Sequence, residues 1–455
     1  MSTHLPNPSD ELKIYELSLI WKEAAYNFAF WQGLSATLDW DKAYKEALPA
    51  VLKTTNIYDY YLELMKFVAL LRDGHTDVQF PSCVWESAEY TSKLPIHVVY
   101  FGGNFIIGNV KHCAGDMVKR WSIIKKINGV KIQDYLKKNI FPYIWHEKLD
   151  SMGYQVHNFI SNGPLGSVVE LELDYEGEIY TVKLERTKGD VDWLYSGIEL
   201  IPIESLTTVH ESDSHKIEMT GDNIAVITIN TMENDNLPEE FYASLPLLEK
   251  ARGYVIDIRY NGGGNSSNGD GVASAFLGAG FKNGRSLHPI HIGVYKASAR
   301  FANFGDMTWE EVKAQYGDWA EKMYKIPRQE YYEEEIFSYE NSSIPANTIT
   351  APLVVLTTAN TGSAAEDFLI ALEHAKRATF VGTATYGSTG QPLMIDLESG
   401  GRVRICTRHC THIDGREFIN IGVLPHVHFE PTLEDWKTGK DTHMAKGLEV
   451  IRDMV

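Results

Sequence analysis

The sequence predicts an α/β protein in which a helical N-terminal region and a small, mainly β module lead into a longer alternating α/β core. Three observations predict it. From Asp10 to Leu71 apolar residues recur at three- and four-residue spacings, as in Leu12, Tyr15, Leu17, Ile20, Trp21 and Ala24. From Leu94 to about Arg186 short β-branched runs alternate with Gly and Asn turns. From Ile217 onward near-continuous apolar runs such as Tyr254-Val-Ile-Asp-Ile-Arg259 alternate with helical stretches, the pattern of strands covered on both faces. The boundaries read as 1–90, 91–190 and 191–455. A chain of 455 residues has room for two or three domains of about 150 residues each.

Each element has a local reason. Asp39 stands before Trp40-Asp-Lys-Ala-Tyr-Lys-Glu46 as a helix cap, and Tyr58 to Leu71 makes a third helix. In the β module, Asn128-Gly129 between Ser122-Ile-Ile-Lys-Lys-Ile127 and Val130-Lys-Ile132 is a two-residue hairpin signal. Further strands are expected at Ile96–Tyr100, Val168–Leu173 and Ile179–Leu184. In the core, strands are expected at Ile224–Ile229, Tyr254–Arg259, Leu353–Thr357 and Ala378–Gly382, and helices at Phe241–Lys250 and Ala364–Ala375. Tyr295 to Asn347, rich in Tyr, Trp and Glu, reads as an insertion that walls a cleft.

The formal net charge is -19, which argues against a nucleic-acid partner, since phosphate binding needs clustered Lys and Arg. No run of about 18 apolar residues occurs, so no membrane span is expected. The N-terminus shows no basic start followed by an apolar run, so no signal peptide is read there. Cys406 and Cys410, with His409 and His412 nearby, resemble half of a metal site. Without a second ligand pair the segment reads better as a strand, Val403 to Thr411, and neither a metal nor a cofactor is expected.

Three segments carry chemistry. Asn360-Thr-Gly-Ser363-Ala-Ala-Glu366 lies between an apolar strand and a helix. A serine there projects from a sharp turn, and the helix N-terminus offers unpaired N–H groups to an oxyanion. The plain alternative is a Ser-x-x-Glu capping box of Ser363 and Glu366. Asp257-Ile-Arg-Tyr-Asn-Gly262-Gly263-Gly264 follows a buried strand, and its glycines let backbone N–H groups approach a ligand. It lacks the spacing of phosphate and dinucleotide loops, and a flexible turn is the plain alternative. Asp73-Gly74-His75-Thr76 ends the third helix, with Gly74 at the expected C-terminal cap. His75 serves as a base only if the fold brings it within about 3 Å of Ser363 Oγ; otherwise it is a surface residue.

In order, Gly253-Tyr-Val-Ile-Asp-Ile-Arg-Tyr-Asn-Gly-Gly-Gly264, Thr361-Gly-Ser-Ala-Ala-Glu366, Gly382-Thr-Ala-Thr-Tyr-Gly387 and Asp414-Gly-Arg-Glu-Phe-Ile-Asn-Ile-Gly-Val-Leu-Pro425 resemble the core of the S41 serine peptidases. These include C-terminal processing (tail-specific) peptidases and the tricorn core. Asp73-Gly-His-Thr76 is similar to the branch that uses a Ser–His pair, and Ile127-Asn-Gly-Val-Lys-Ile132 to the PDZ-like insert of these enzymes. The resemblance implies a crotonase-like α/β core and proteolysis of protein or peptide substrates. It implies Ser363 as nucleophile, His75 as base, and the Gly263 and Ala364 N–H groups as oxyanion hole. It also implies a secreted or periplasmic bacterial hydrolase.

The match departs from the family in places. Ser388 stands where the Ser–Lys branch carries lysine, which favours His75 as base. Ile419 stands where the tricorn-like branch carries glutamate, so Glu417, Glu366 or a backbone carbonyl is left as the orienter of His75. His426 replaces the Asp usual after Gly-Val-Leu-Pro425. Two other classes share this core: carriers of retinoid-like lipids or peptides that have lost catalysis, and acyl-CoA enzymes. A Ser–His pair separates a peptidase from a carrier, and the PDZ-like insert counts against an acyl-CoA enzyme.

Overall fold

A computed structural model describes residues 6–144, 148–188, 192–195, 200–278, 280–289, 304–325, 328, 331–333, 338–339 and 349–455. Much of the segment 295–347, expected to wall a cleft, lies outside the described residues. Its described part contains the helix Trp309–Tyr316, whose capping box joins Thr308 and Glu311, and a small core of Phe304, Val312, Ala320, Met323 and Tyr324.

The helical region forms three main helices, Asp10–Asn27, Trp40–Leu52 and Ile57–Ala69. Each begins at a polar cap that accepts a backbone N–H: Ser9 from Leu12, Asp39 from Lys42 and Asn56 from Asp59. The third helix ends earlier than Gly74. Its C-terminal cap is Leu70, and Arg72 rather than Gly74 takes the left-handed φ of 56°. The core of this region is not self-contained. Tyr60, Tyr61, Leu64 and Phe67 share it with Leu397, Val403 and Ile405. The strand Asp77–Gln79 pairs antiparallel with Arg402–Cys406, which pairs in turn with Pro392–Asp396. The predicted single strand Val403–Thr411 is therefore two: Arg402–Cys406 in this sheet, and His409–Thr411 against Arg285–Pro289.

The second module is a twisted antiparallel sheet in the order Ile96–Phe101, Asn104–Val110, Ile123–Ile127, Val168–Tyr175, Glu178–Glu185. Its hairpin turns at Asn128 (φ 51°) and Gly129 (φ 77°), and Ile127 pairs with Val130. Two positive φ angles are what a type I′ turn demands. Two helices, Ile132–Asn139 and Leu149–Ser161, pack on the sheet and give the module more helix than its sequence suggests. Buried Val156 and Ile160 join Ile96, Ile107 and Leu171 in its core.

Among the described residues the large sheet has seven strands, ordered Thr207–Glu211, Lys216–Met219, Ile224–Thr228, Gly253–Asp257, Leu353–Thr357, Thr379–Gly382 and Val427–His428. The first two join antiparallel and the rest run parallel. The strands alternate side by side. Ala225, Ile227, Ile256 and Val355 face the packed helices Ser266–Leu277 and Ala364–His374, while Val226, Val255, Val354 and Leu356 face the C-terminal helix Thr442–Arg452. Both faces are covered, so the apolar runs lack the alternation of a half-exposed strand. The helix expected at Phe241–Lys250 starts earlier, at Leu237, and closes as a 3-10 turn over Leu245–Leu248. Pro238 suits the first turn of a helix, and Pro246 ends the α-helical hydrogen bonding. Among the described residues no helix is long and apolar enough to cross a membrane.

Candidate active site

The strands Gly253–Asp257 and Leu353–Thr357 lie side by side and parallel. The loops leaving their carboxyl ends therefore meet, as ligand-binding loops of open parallel sheets do. One loop carries Asn261 to Gly264 and the other carries Ser363. They are tied together: Gly362 N donates to Asn261 O at 3.0 Å, and Thr361 Oγ1 donates to Ile258 O at 2.9 Å.

Ser363 takes φ 55° and ψ -124°, a conformation that a non-glycine residue adopts at a cost of about 1–3 kcal/mol. Two acceptors hold it there. Its N–H lies 3.1 Å from Ser388 O and 3.1 Å from Glu366 Oε2. The Glu366 arm of the capping box is thus present, while Ser363 Oγ lies 3.2 Å from His75 Nε2, across 288 positions of sequence.

His75 is fixed from behind. Asp73 Oδ2 accepts from the His75 N–H at 3.1 Å and from Thr76 Oγ1 at 2.6 Å. Thr76 Oγ1 accepts from Cys406 N–H at 3.0 Å, so the loop is fastened to the sheet formed with residues 392–406. Burial raises the Asp73 carboxyl to about 6, against the pull of those hydrogen bonds. On the other side of the ring, His75 Nδ1 lies 2.5 Å from Ser388 Oγ.

Ser388 is the residue that sequence reasoning missed as a partner of His75. The signal was present, since it occupies a glycine-loop position where a charged base was expected. Glu366 does not reach the imidazole. It is fully buried and accepts from Thr385 Oγ1, Gly387 N, Ser388 N and Ser363 N. Burial drives its carboxyl up to about 7, opposed by these four bonds. It organises the loop that presents Ser388 and the turn that presents Ser363. Glu417 stands elsewhere: its carboxylate, half exposed, lies 2.8 Å from His409 Nε2. The expected same-face position next to the histidine is therefore not realised, because the segment after Arg416 turns into the loop Phe418–Gly422 instead of running on as a strand. His426 brackets the strand Thr379–Gly382, with its Nδ1 accepting from Phe380 N at 2.9 Å and its N–H donating to Phe380 O at 2.9 Å.

Gly263 presses on Ser363. It has φ 100°, and a Cβ added there would lie 2.6 Å from Ser363 Cβ and 2.9 Å from Ala364 N. Only glycine fits. Its N–H donates to Asn261 Oδ1 at 2.9 Å, so an incoming oxyanion competes with that side chain for it. Ala364 is the first residue of the helix Ala364–His374, where an N–H has no intrahelical acceptor. The second module touches the same loop: Lys148 Nζ donates to Thr385 O and, at 3.1 Å, to Ile421 O, and Ser151 Oγ donates to Tyr386 O at 3.2 Å.

Cys406 and Cys410 are buried on separate strands. Among the described residues no group of three or more His, Cys, Asp or Glu side chains is placed to hold a metal ion.

Known proteins are similar to this chain in sequence over part of its length, and in fold over most of it. The chain is 24% identical over 302 residues to the carboxy-terminal processing protease CtpA of Bacillus subtilis (strain 168), covering 64% of this chain and 51% of that protein. It is 25% identical over 202 residues to the carboxy-terminal-processing protease of Bartonella bacilliformis, covering 44% of this chain and 36% of that protein. The chain therefore spans about half or less of the length of these curated relatives. Over the whole fold it is similar to mature CPAF, with a TM-score of 0.70 at 14% identity, covering 98% of this chain and 99% of that one. A crystal structure titled as a putative peptidase from Parabacteroides merdae gives a TM-score of 0.53 at 15% identity, covering 98% and 97%. Residues 223–429 match Peptidase family S41, and both loops of the site, Asn261 to Gly264 and the turn at Ser363, lie inside that match.

Proposed function

We propose that this protein is a serine peptidase that cleaves peptide bonds through an acyl-enzyme on Ser363, with His75 as general base. The observation that carries the reading is the 3.2 Å approach of Ser363 Oγ to His75 Nε2, made by residues from opposite parts of the chain. Attack forms an Oγ–C bond at the scissile carbonyl while the Oγ proton passes to Nε2. The Ala364 N–H, joined by the Gly263 N–H as it leaves Asn261 Oδ1, receives the oxyanion. Collapse breaks the C–N bond, and the imidazolium returns its proton to the leaving amine. Water, deprotonated by the same nitrogen, then releases the acyl group.

Ser388 replaces the usual carboxylate behind the imidazole. Its hydroxyl fixes ring orientation and tautomer by a hydrogen bond, without a full negative charge beside the imidazolium.

We assign the module of residues 91–190 as a PDZ-like insert that places substrate, the region 1–90 as the carrier of the base, and 191–455 as a crotonase-like catalytic core. The hairpin at Asn128-Gly129, the open antiparallel sheet and the contacts of Lys148 and Ser151 with the Ser388 loop support that division. A protein or peptide substrate and a bacterial periplasmic or secreted setting complete the reading, by likeness to the processing proteases.

Labelling with a fluorophosphonate tests it. The parent protein should be modified at Ser363, Ser363→Ala not at all, and His75→Ala far more slowly. Folded parent protein that resists the probe would sink the peptidase reading.

A further inference from the structure

A cavity of about 210 Å³ opens beside the candidate active site. It begins on both sides of His75, at Asp73, Gly74 and Thr76, and is closed by Tyr386, the neighbour of the Ser388 loop. Tyr386 also packs on the nucleophile turn, since a Cβ added at Gly362 would lie 3.1 Å from Tyr386 Cβ. The cavity is therefore one residue away from both catalytic candidates.

Its walls are aromatic. Tyr58 stacks on Phe80 with ring centroids 5.3 Å apart, Trp85 meets Phe80 edge-on at 5.5 Å, and Tyr143 stacks on Phe159 at 5.6 Å. All five line the space. Such faces attract cations as well as apolar stems.

Three acceptor atoms of its lining residues have no hydrogen-bond partner among the described residues. Asp73 is only 4% exposed, and among the described residues its Oδ1 has no hydrogen-bond partner. Gln155 Oε1 and Asn162 Oδ1 are in the same state, and both residues line the cavity. The neighbouring cation, Arg404, is held by Asp77 through its Nε at 2.9 Å. A buried carboxylate oxygen left unpaired costs free energy unless a donor arrives. Burial raises this carboxyl to about 6, outweighing its hydrogen bonds from Thr76 and His75 and the nearby charge of Arg404.

We propose that this cavity is a specificity pocket for a lysine or arginine side chain of the substrate, whose cation meets Asp73 while its aliphatic stem lies along Phe80, Tyr143 and Phe159. The proposal rests on the peptidase reading for the source of that side chain, but not for its chemistry. A cation fits because the site combines a desolvated carboxylate, neutral amide acceptors and ring faces, with no unengaged cation of its own among the described lining residues.

Two arms test it. In the first, n-butylguanidinium and its neutral analogue N-butylurea are titrated by calorimetry into Ser363→Ala protein, where no turnover intervenes. The cation should bind at least about tenfold more tightly than the urea, and the difference should vanish in Asp73→Asn added to that background. Trp85→Ala, at a half-exposed wall residue, should weaken the cation without unfolding the chain. Equal binding of both compounds, or a preference that survives Asp73→Asn, overturns the pocket. In the second arm, peptides with lysine or norleucine at one position are compared with wild-type protein. A kcat/KM at least about tenfold higher for lysine supports a substrate side chain; equal values overturn it. Loss of fluorophosphonate labelling would defeat the peptidase reading alone, because the first arm does not depend on it.

Discussion

Ser388 Oγ stands 2.5 Å from His75 Nδ1, in the place where many serine peptidases put a carboxylate. The hydroxyl belongs to a loop whose N–H groups at positions 387 and 388 are pinned by the buried Glu366. Orientation of the imidazole is thus passed from a carboxylate to a backbone, and from the backbone to a hydroxyl.

Ser388→Ala should lower kcat by roughly 10–100-fold with little change in KM, because ring orientation and tautomer loosen while the binding surface stays. Steady-state kinetics on one peptide substrate decide this. An unchanged kcat would show that the hydroxyl contributes nothing to the base.

Gly263→Ala should cost about 2 kcal/mol or more and abolish fluorophosphonate labelling. A methyl group at 2.6 Å from Ser363 Cβ has no room, and φ 100° strains any L side chain. Thermal unfolding and labelling together check it; a variant with wild-type melting and labelling would contradict the close approach.

Glu366 makes stability pH-dependent. Its folded carboxyl sits at about 7, above an ordinary value of 4.5. The folded state holds the proton more tightly than the unfolded state, so the contribution is fully present below pH 4.5 and is lost as pH rises through 7. The wild-type advantage over the non-titrating Glu366→Gln should shrink by up to about 3 kcal/mol across that window, at ~1.4 kcal/mol per pH unit. Denaturant titrations of both proteins at both ends measure it, and a constant gap would mean the group does not titrate there.

Lys148→Met should reduce kcat several-fold at nearly unchanged melting temperature. Its ammonium fastens the second module to Thr385 O and Ile421 O, three residues from Ser388 in the first case. Burial lowers the lysine's proton affinity, so the contact is made at some cost to the charge. A variant with full activity would uncouple the module from the loop.

The parts of the fold governed by local chemistry were legible in the sequence. Asn128-Gly129 announced its hairpin because two left-handed residues admit few types. The strand Leu353–Thr357 falls on its expected residues because both faces are buried and its ends are punctuated. Ser363, His75 and the glycine loop stood out only as residue types in suggestive surroundings. What stayed hidden is non-local. The pairing of Asp77–Gln79 with Arg402–Cys406 joins segments with no shared pattern. The meeting of His75 with Ser388 spans 313 positions. Glu417 was misplaced because strand periodicity was extended through a segment whose backbone turns away. Arg72, instead of Gly74, took the left-handed angle, since the helix ended at Ala69, two residues before the expected Leu71.

The sheet that steadies His75 also sets a clock. Its first strand is Asp77–Gln79, and the strand it needs is Arg402–Cys406. A chain emerging from the ribosome at about 5–20 residues per second exposes the histidine tens of seconds before its brace has been made. Ser363, the Ser388 loop and the brace all come later in the chain, and a chain broken off before them carries His75 without any of these partners.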